Sequence, residues 1–187
     1  MTHPNLQFAY QQGVSTTTCS WAVTAVIDYF NNRNKVSLYG AAMDMSKAFD
    51  KCSWKELFTS LLKRKVDSIF LRVTLFIYRN QVCLVCWNGS FSFAFKISNS
   101  VRQGAISSAF FFIVYIDELI SILKKSRIGC FIDSVYVGIF IFADDIFLLS
   151  ANRSGLQAMV KTCEEFAKKK NLSVLDGSKE FILLFNN

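Results

Sequence analysis

Residues 134–149 read SVYVGIFIFADDIFLL, and this stretch decides the fold. Two β-rich apolar runs, 134–142 and 146–149, flank Ala143-Asp144-Asp145, the pattern of two strands joined by a tight acidic turn. A third carboxylate holds a matching place upstream: residues 38–43 (LYGAAM) form a short apolar run, suited to a buried strand, that ends on Asp44. Packing gives little reason for an apolar strand to finish on an acid, because an unpaired charge taken out of water is costly. Carboxylates from two neighbouring strand ends can instead hold a pair of Mg²⁺ ions, which favour one or two carboxylates plus substrate phosphates over a full protein cage. Two such ions about 3.5–4 Å apart can activate an attacking 3′-hydroxyl and stabilise a leaving pyrophosphate in an in-line displacement. A solvated hairpin turn, where Asp is common, is the other reading of Asp144-Asp145 taken alone.

Working outward, residues 154–170 are amphipathic, with Leu156, Met159, Val160, Cys163 and Phe166 on one face. Lys168, Lys169 and Lys170 fall in the last turn of that helix, where cations complement the dipole. Runs 172–175 and 181–185 read as closing strands. Upstream, residues 106–125 contain no Gly or Pro, and the acidic pair Asp117-Glu118 falls late, so a long, mostly buried helix is expected. Asn88-Gly89-Ser90 lies between apolar runs 82–87 and 91–97, the strongest short-range hairpin signal. Ser53 is a candidate cap for a helix expected over 54–65 with Glu56 at its third position and Leu57, Leu61 and Leu62 on one face, and a second helix is expected over 67–78. A helix over 21–30 takes its cap from residues 15–18. The order of these elements gives an α+β fold, an antiparallel sheet covered by helices on one face.

The chain has 187 residues and formal charge +7; at 52% apolar and 15% aromatic, with one Pro, it is neither disordered, collagen-like nor a loop-rich disulfide scaffold. No run approaches the roughly 18 uncharged apolar residues a spanning helix needs, so no membrane partner is expected. The start, MTHPNLQFAYQQ, lacks a basic segment followed by an apolar one, which points away from secretion and towards an intracellular site, nucleus and cytoplasm not distinguished. The six Cys sit on apolar stretches and read as small buried hydrophobes; Cys83-x-x-Cys86 lies on a strand. Nineteen Phe are many for this length and imply either a large core or apolar surface that a partner covers. Nine basic residues between Arg33 and Arg72, including Lys63-Arg64-Lys65, suit phosphate neutralisation along a nucleic-acid duplex, although a solvated helix face accounts for any single Lys.

Three segments occur in a fixed order: DMSKAFD at 44–50, NSVRQG at 99–104 and FADD at 142–145. Together they resemble motifs A, B and C of reverse transcriptases, most closely those of non-LTR (LINE-type) retrotransposons. The resemblance covers residues 7–185 and includes QFAYQQGVST at 7–16, YIDEL at 115–119 and FADDIFLLS at 142–150. It implies a polymerase palm with part of the fingers: residues 1–37 as the end of the fingers and 38–187 as palm, with thumb and endonuclease outside the chain.

The resemblance also implies roles. Asp44 and Asp144 match the metal-binding carboxylates and Asp145 the second acid of motif C, holding two Mg²⁺ ions, or Mn²⁺ in their place. Phe49 matches the bulky residue beneath the incoming sugar, whose ring would collide with a 2′-hydroxyl and so favour dNTPs; a core Phe is the alternative. Gln103 and Gly104 match the motif B pair near nucleotide and template, Arg102 could contact phosphate, a solvated surface Arg being the alternative, and Lys179 is a displaced match to the family's late lysine. The implied partners are an RNA template, a DNA primer, dNTP and the missing fingers and thumb of a longer polyprotein. The chain departs from the family pattern at Val14, usually basic; at Ser100, usually Gly; at Ser107-Ser108-Ala109, usually Leu-Ser-Pro; and at Phe142, usually Tyr. The expected activity is RNA-directed DNA polymerisation, the alternatives being an inactive retrotransposon remnant or co-opted nucleic-acid-binding module, or an RNA-dependent RNA polymerase palm, against which Phe49 argues.

Overall fold

The acidic hairpin forms one side of the main sheet. The structure, a computed structural model, describes residues 6–46, 48–101, 106–170, 172–174 and 183–185. Ser15 opens helix α1 (Thr16–Asp28): its hydroxyl accepts from the Thr18 N–H and the Thr18 hydroxyl accepts from the Ser15 N–H, a reciprocal cap. The helix therefore begins five residues before the apolar periodicity does. A π-helical turn (Tyr29–Arg33) leads into strand β1 (Leu38–Ser46). Helices α2 (Ala48–Lys51), α3 (Trp54–Lys63) and α4 (Ser68–Arg79) follow, the last capped by the Asp67 carboxylate on the N–H groups of Ile69 and Phe70.

The next hairpin has two short ladders, β2 (Val82–Cys83) with β5 (Phe95–Lys96) and β3 (Cys86–Trp87) with β4 (Ser90–Phe91). Asn88 and Gly89 both have positive φ, +47° and +77°, as a two-residue type I′ turn requires. Helix α5 (Ile106–Ser126) runs through the core, and a small hairpin, β6 (Phe131–Ile132) and β7 (Val135–Tyr136), follows it. The acidic hairpin is β8 (Ile139–Phe142) and β9 (Asp145–Ser150); then come helix α6 (Arg153–Lys169), capped by the Asn152 side chain on Gly155 N–H, and strands β10 (Ser173–Val174) and β11 (Leu183–Phe185). The single run expected over 134–142 is thus divided between two hairpins, and Asp145 is the first residue of a strand rather than part of the turn.

The main sheet has the order β10-β1-β9-β8, with β11 also pairing β1, and every pairing is antiparallel. Its two faces separate by strict alternation. Ala41, Met43, Met45, Ile139, Ile141, Ile146 and Leu148 belong to the large core beneath α3, α5 and α6, the helical layer expected. Residues of opposite parity, Leu38, Phe140 and Leu149, join a smaller cluster with Val26 and Phe30 of the N-terminal helical segment. Leu57 and Leu61 of α3 are fully buried, but Leu62 is exposed, so the buried stripe is narrower than its sequence suggests. The Phe residues also divide: Phe111, Phe112, Phe140 and Phe166 fill the core, whereas Phe76, Phe91, Phe93 and Phe95 face outward on α4 and the neighbouring hairpin. No helix among the described residues is long and apolar enough to cross a membrane.

Candidate active site

Asp44 and Asp145 are direct cross-strand partners in the β1–β9 ladder, and Phe142 faces Asp145 from the other side. The Met45 N–H donates to the Asp144 carbonyl at 3.1 Å, which makes 45/144 a hydrogen-bonded pair. The adjacent pair, Asp44 and Asp145, falls in the closer non-hydrogen-bonded position, where Cα atoms typically lie about 4.5 Å apart. By the alternation of each strand both carboxylates project from the face opposite α5 and α6. Asp144 occupies the second residue of the two-residue turn. The first, Ala143, has φ +57°, a left-handed conformation that a β-carbon disfavours.

Three acids are therefore gathered at one corner of the sheet, and their electrostatics register it. The Asp145 carboxyl is held above its ordinary range by partial burial first, then by the negative charges of Asp144 and Asp44. Tyr10, from the segment before α1, has its hydroxyl pushed up by burial and by the Asp144 charge, which places that segment beside the turn. Among the described residues no three acidic, His or Cys side chains form a ready-made metal cage. The donor set nevertheless fits Mg²⁺: hard oxygen ligands, unneutralised by any described ion pair, whose mutual repulsion a divalent cation would relieve. Arg102, Gln103, Gly104 and Lys179 lie outside the described residues, as does the side chain of Phe49, whose backbone belongs to α2.

One residue that sequence reasoning gave no role is conspicuous here. Gln7, 2% exposed, accepts through Oε1 from the N–H groups of Ala9 (3.0 Å) and Ala143 (3.3 Å) and donates through Nε2 to the Ala143 carbonyl (3.4 Å). No local signal in the sequence marks a contact spanning 136 residues.

The model of the family described as reverse transcriptase (RNA-dependent DNA polymerase) matches residues 1–177. The chain belongs to the reverse transcriptase family. This reverse transcriptase domain is 27% identical over 141 residues to the retrovirus-related Pol polyprotein from type-1 retrotransposable element R2 of Nasonia vitripennis, an alignment covering 74% of the chain and 13% of that protein. It is 28% identical over 130 residues to the corresponding polyprotein from type-2 element R2DM of Drosophila melanogaster, covering 70% of the chain and 12% of the relative. The relatives support the non-LTR retrotransposon assignment, and the chain spans about an eighth of the length of the curated proteins it matches. Among solved structures, apo telomerase from Candida tropicalis superimposes with a TM-score of 0.67 at 16% identity, over 99% of this chain and 34% of that one. A telomerase from the same organism, in complex with a fragment of telomeric RNA, gives 0.69 at 16% identity, over 88% and 29%. These likenesses show the α+β polymerase palm-like fold.

Proposed function

We propose that this chain is the nucleotidyl-transfer core of an RNA-directed DNA polymerase, which adds dNTPs to a primer 3′-hydroxyl. The observation that carries the reading is the acidic corner itself: Asp44 and Asp145 in register on adjacent strands, with Asp144 on the turn between β8 and β9, in a chain of this family. In this reading Asp44 and Asp144 hold two Mg²⁺ ions, with Mn²⁺ able to substitute, and Asp145 supports them. Bound metal supplies activation of the hydroxyl and neutralisation of the triphosphate. Asp44 and Asp144, fixed on two strands of one sheet, orient that site relative to the primer end, and positioning of this kind lowers the barrier by limiting the geometries sampled.

The remaining roles rest on the motif match. Phe49 closes the floor beneath the sugar and excludes a 2′-hydroxyl; Gln103 and Gly104 line the nucleotide and template; Arg102 and Lys179 meet phosphate. Residues 1–37 complete the fingers and 38–187 form the palm, the thumb being supplied by further polypeptide. An RNA template and DNA primer would lie across the face that carries the acids, with basic residues of α3 and its flanks neutralising phosphate. Primer extension by the polyprotein that carries this domain tests the reading. RNA-templated dNTP incorporation that Asp144→Ala abolishes, with folding intact, is expected; extension that survives the substitution removes the assignment.

A further inference from the structure

Gln7 stands apart from the acids in sequence and against them in space. Its backbone is tied to the outer edge of β8: the Phe8 N–H donates to the Ile141 carbonyl and the Ile141 N–H to the Leu6 carbonyl, both at 2.8 Å, a parallel bridge on an otherwise antiparallel sheet. The Phe8 ring stacks on Phe140, centroids 6.0 Å apart, and Gln11 donates through Nε2 to the Gln7 carbonyl. These contacts hold the carboxamide at a fixed distance from the turn. There it bonds the two peptides that flank the Ala143 α-carbon, accepting from the Ala143 N–H and donating to the Ala143 carbonyl.

Ala143 is where such a grip matters. At φ +57° it adopts a left-handed conformation that a β-carbon disfavours, and most such turns use Gly or Asn. A residue held there needs surroundings that over-determine it. A buried carboxamide bonded on both sides of Ala143 supplies them, and one of the two peptides it holds, that of the Ala143 carbonyl, leads directly into Asp144.

We infer that Gln7 is a positioning residue: its carboxamide clamps Ala143 in the left-handed conformation and thereby fixes the direction in which Asp144 is presented. The inference rests on the function proposed above for Asp144, but the clamp itself is a property of this fold. Gln7→Met removes both bonds while keeping the volume, and Gln7→Glu keeps the acceptor while losing the donor. Ala143→Gly removes the cost of positive φ and so the need for the clamp.

Two readouts on the domain and on the polyprotein that carries it separate the possible failures. The first is amide hydrogen exchange, measured by NMR, which does not depend on catalysis. Gln7→Met should raise exchange at Ala143 at least tenfold and leave the interior of β8 and β9 protected; Gln7→Glu should lie between. The second is primer extension, in which Gln7→Met should lower kcat about tenfold with KM for dNTP within twofold. Adding Ala143→Gly to Gln7→Met should restore a large part of that loss, a rescue that general destabilisation would not permit. Unchanged exchange at Ala143, or unchanged kcat in an active enzyme, overturns the inference. If the unsubstituted protein extends no primer, the functional reading of Asp144 fails, and exchange at Ala143 still decides whether the clamp exists.

Discussion

Lys170 makes two ion pairs from a buried position. It is the C-terminal cap of α6, yet its side chain is 2% exposed, with Nζ 3.0 Å from Oε2 of Glu56 on α3 and 2.8 Å from Oε2 of Glu118 on α5. The ammonium also lies over the Tyr115 ring, 5.1 Å from its centroid, and the Tyr115 hydroxyl donates to the Lys170 carbonyl at 2.9 Å. One cation therefore joins three helices. Lys170→Met keeps most of the volume and leaves two carboxylates facing each other. Removing one partner of a fully buried pair costs about 3–5 kcal/mol, but the two glutamates are 34% and 37% exposed and regain some hydration, so a loss of about 2 kcal/mol is expected. Lys170→Ala also removes three buried methylenes at about 0.8 kcal/mol each, bringing the total to about 4 kcal/mol. Urea unfolding followed by Trp fluorescence measures both.

The effect should depend on pH with a definite sign. The hydrogen bond from Lys170 holds the Glu118 carboxyl below its ordinary range, against the opposing effect of burial, with the charges of Lys170, Lys169 and Lys63 adding to the depression. A carboxyl depressed on folding gives stability that is complete above its unfolded pKa, about 4.3, and is lost as pH falls through the folded value. The gap between the unsubstituted protein and Lys170→Met is thus full at pH 7 and closes below about pH 4. A Met variant within about 0.5 kcal/mol of the unsubstituted protein at pH 7, or a gap that persists in acid, refutes the reasoning.

Ser100 has φ +102° where the family usually has Gly, pinned by its N–H to the Cys52 carbonyl (3.1 Å) and by the Trp54 indole N–H on its own carbonyl (2.7 Å). Ser100→Gly should stabilise by about 1 kcal/mol, relief of strain exceeding the added freedom of the unfolded chain; a lower urea midpoint contradicts this. Burial pushes the thiols of Cys52, Cys130 and Cys163 up to about 12, with the Lys170 charge opposing it at Cys52, whereas Cys86 is exposed. Maleimide labelling at pH 8 should modify Cys86 first and those three only on unfolding, and mass spectrometry of early fractions checks the order. Because Asp145 is held above its ordinary range, ionising it opposes folding at neutral pH. Asp145→Asn should therefore raise the melting midpoint by roughly 1 °C, solvent screening keeping the gain small, while impairing nucleotide transfer; a lowered midpoint opposes the like-charge account.

What could be read in advance follows from the range of each interaction. The sheet core was legible because alternation and apolar runs are local: β1 and β9 meet where 38–43 and 146–149 place them, and Asp44, just past the apolar run of β1, falls opposite Asp145, just before that of the antiparallel β9. The Asn88-Gly89 turn was legible for the same reason, since positive φ at both positions selects those residues. Non-local bonds left no trace. Lys170 reads as one of three lysines complementing a helix dipole, but its acceptors lie 52 and 114 residues away and turn it into a buried centre of charge. Gln7 likewise becomes significant only once β8 is folded beside it. The division of 134–142 at Gly138 was hidden because apolar residues continue on both sides of it. Gly138 itself is needed there: a β-carbon would lie 2.7 Å from the Tyr136 ring.

In the proposed function, the corner formed by Asp44, Asp144 and Asp145 transfers nucleotides to DNA under the direction of RNA. Single-nucleotide incorporation by this protein is the measurement, with one labelled DNA primer on an RNA template, each dNTP and each NTP in turn, with and without Mg²⁺. Mg²⁺-dependent addition of the complementary dNTP is expected, with little addition of the NTP, and loss of addition in Asp44→Asn and Asp144→Asn variants that melt like the unsubstituted protein. Incorporation that persists in both variants, or a folded, template-bound protein that adds no nucleotide at any Mg²⁺ or Mn²⁺ concentration, would contradict it.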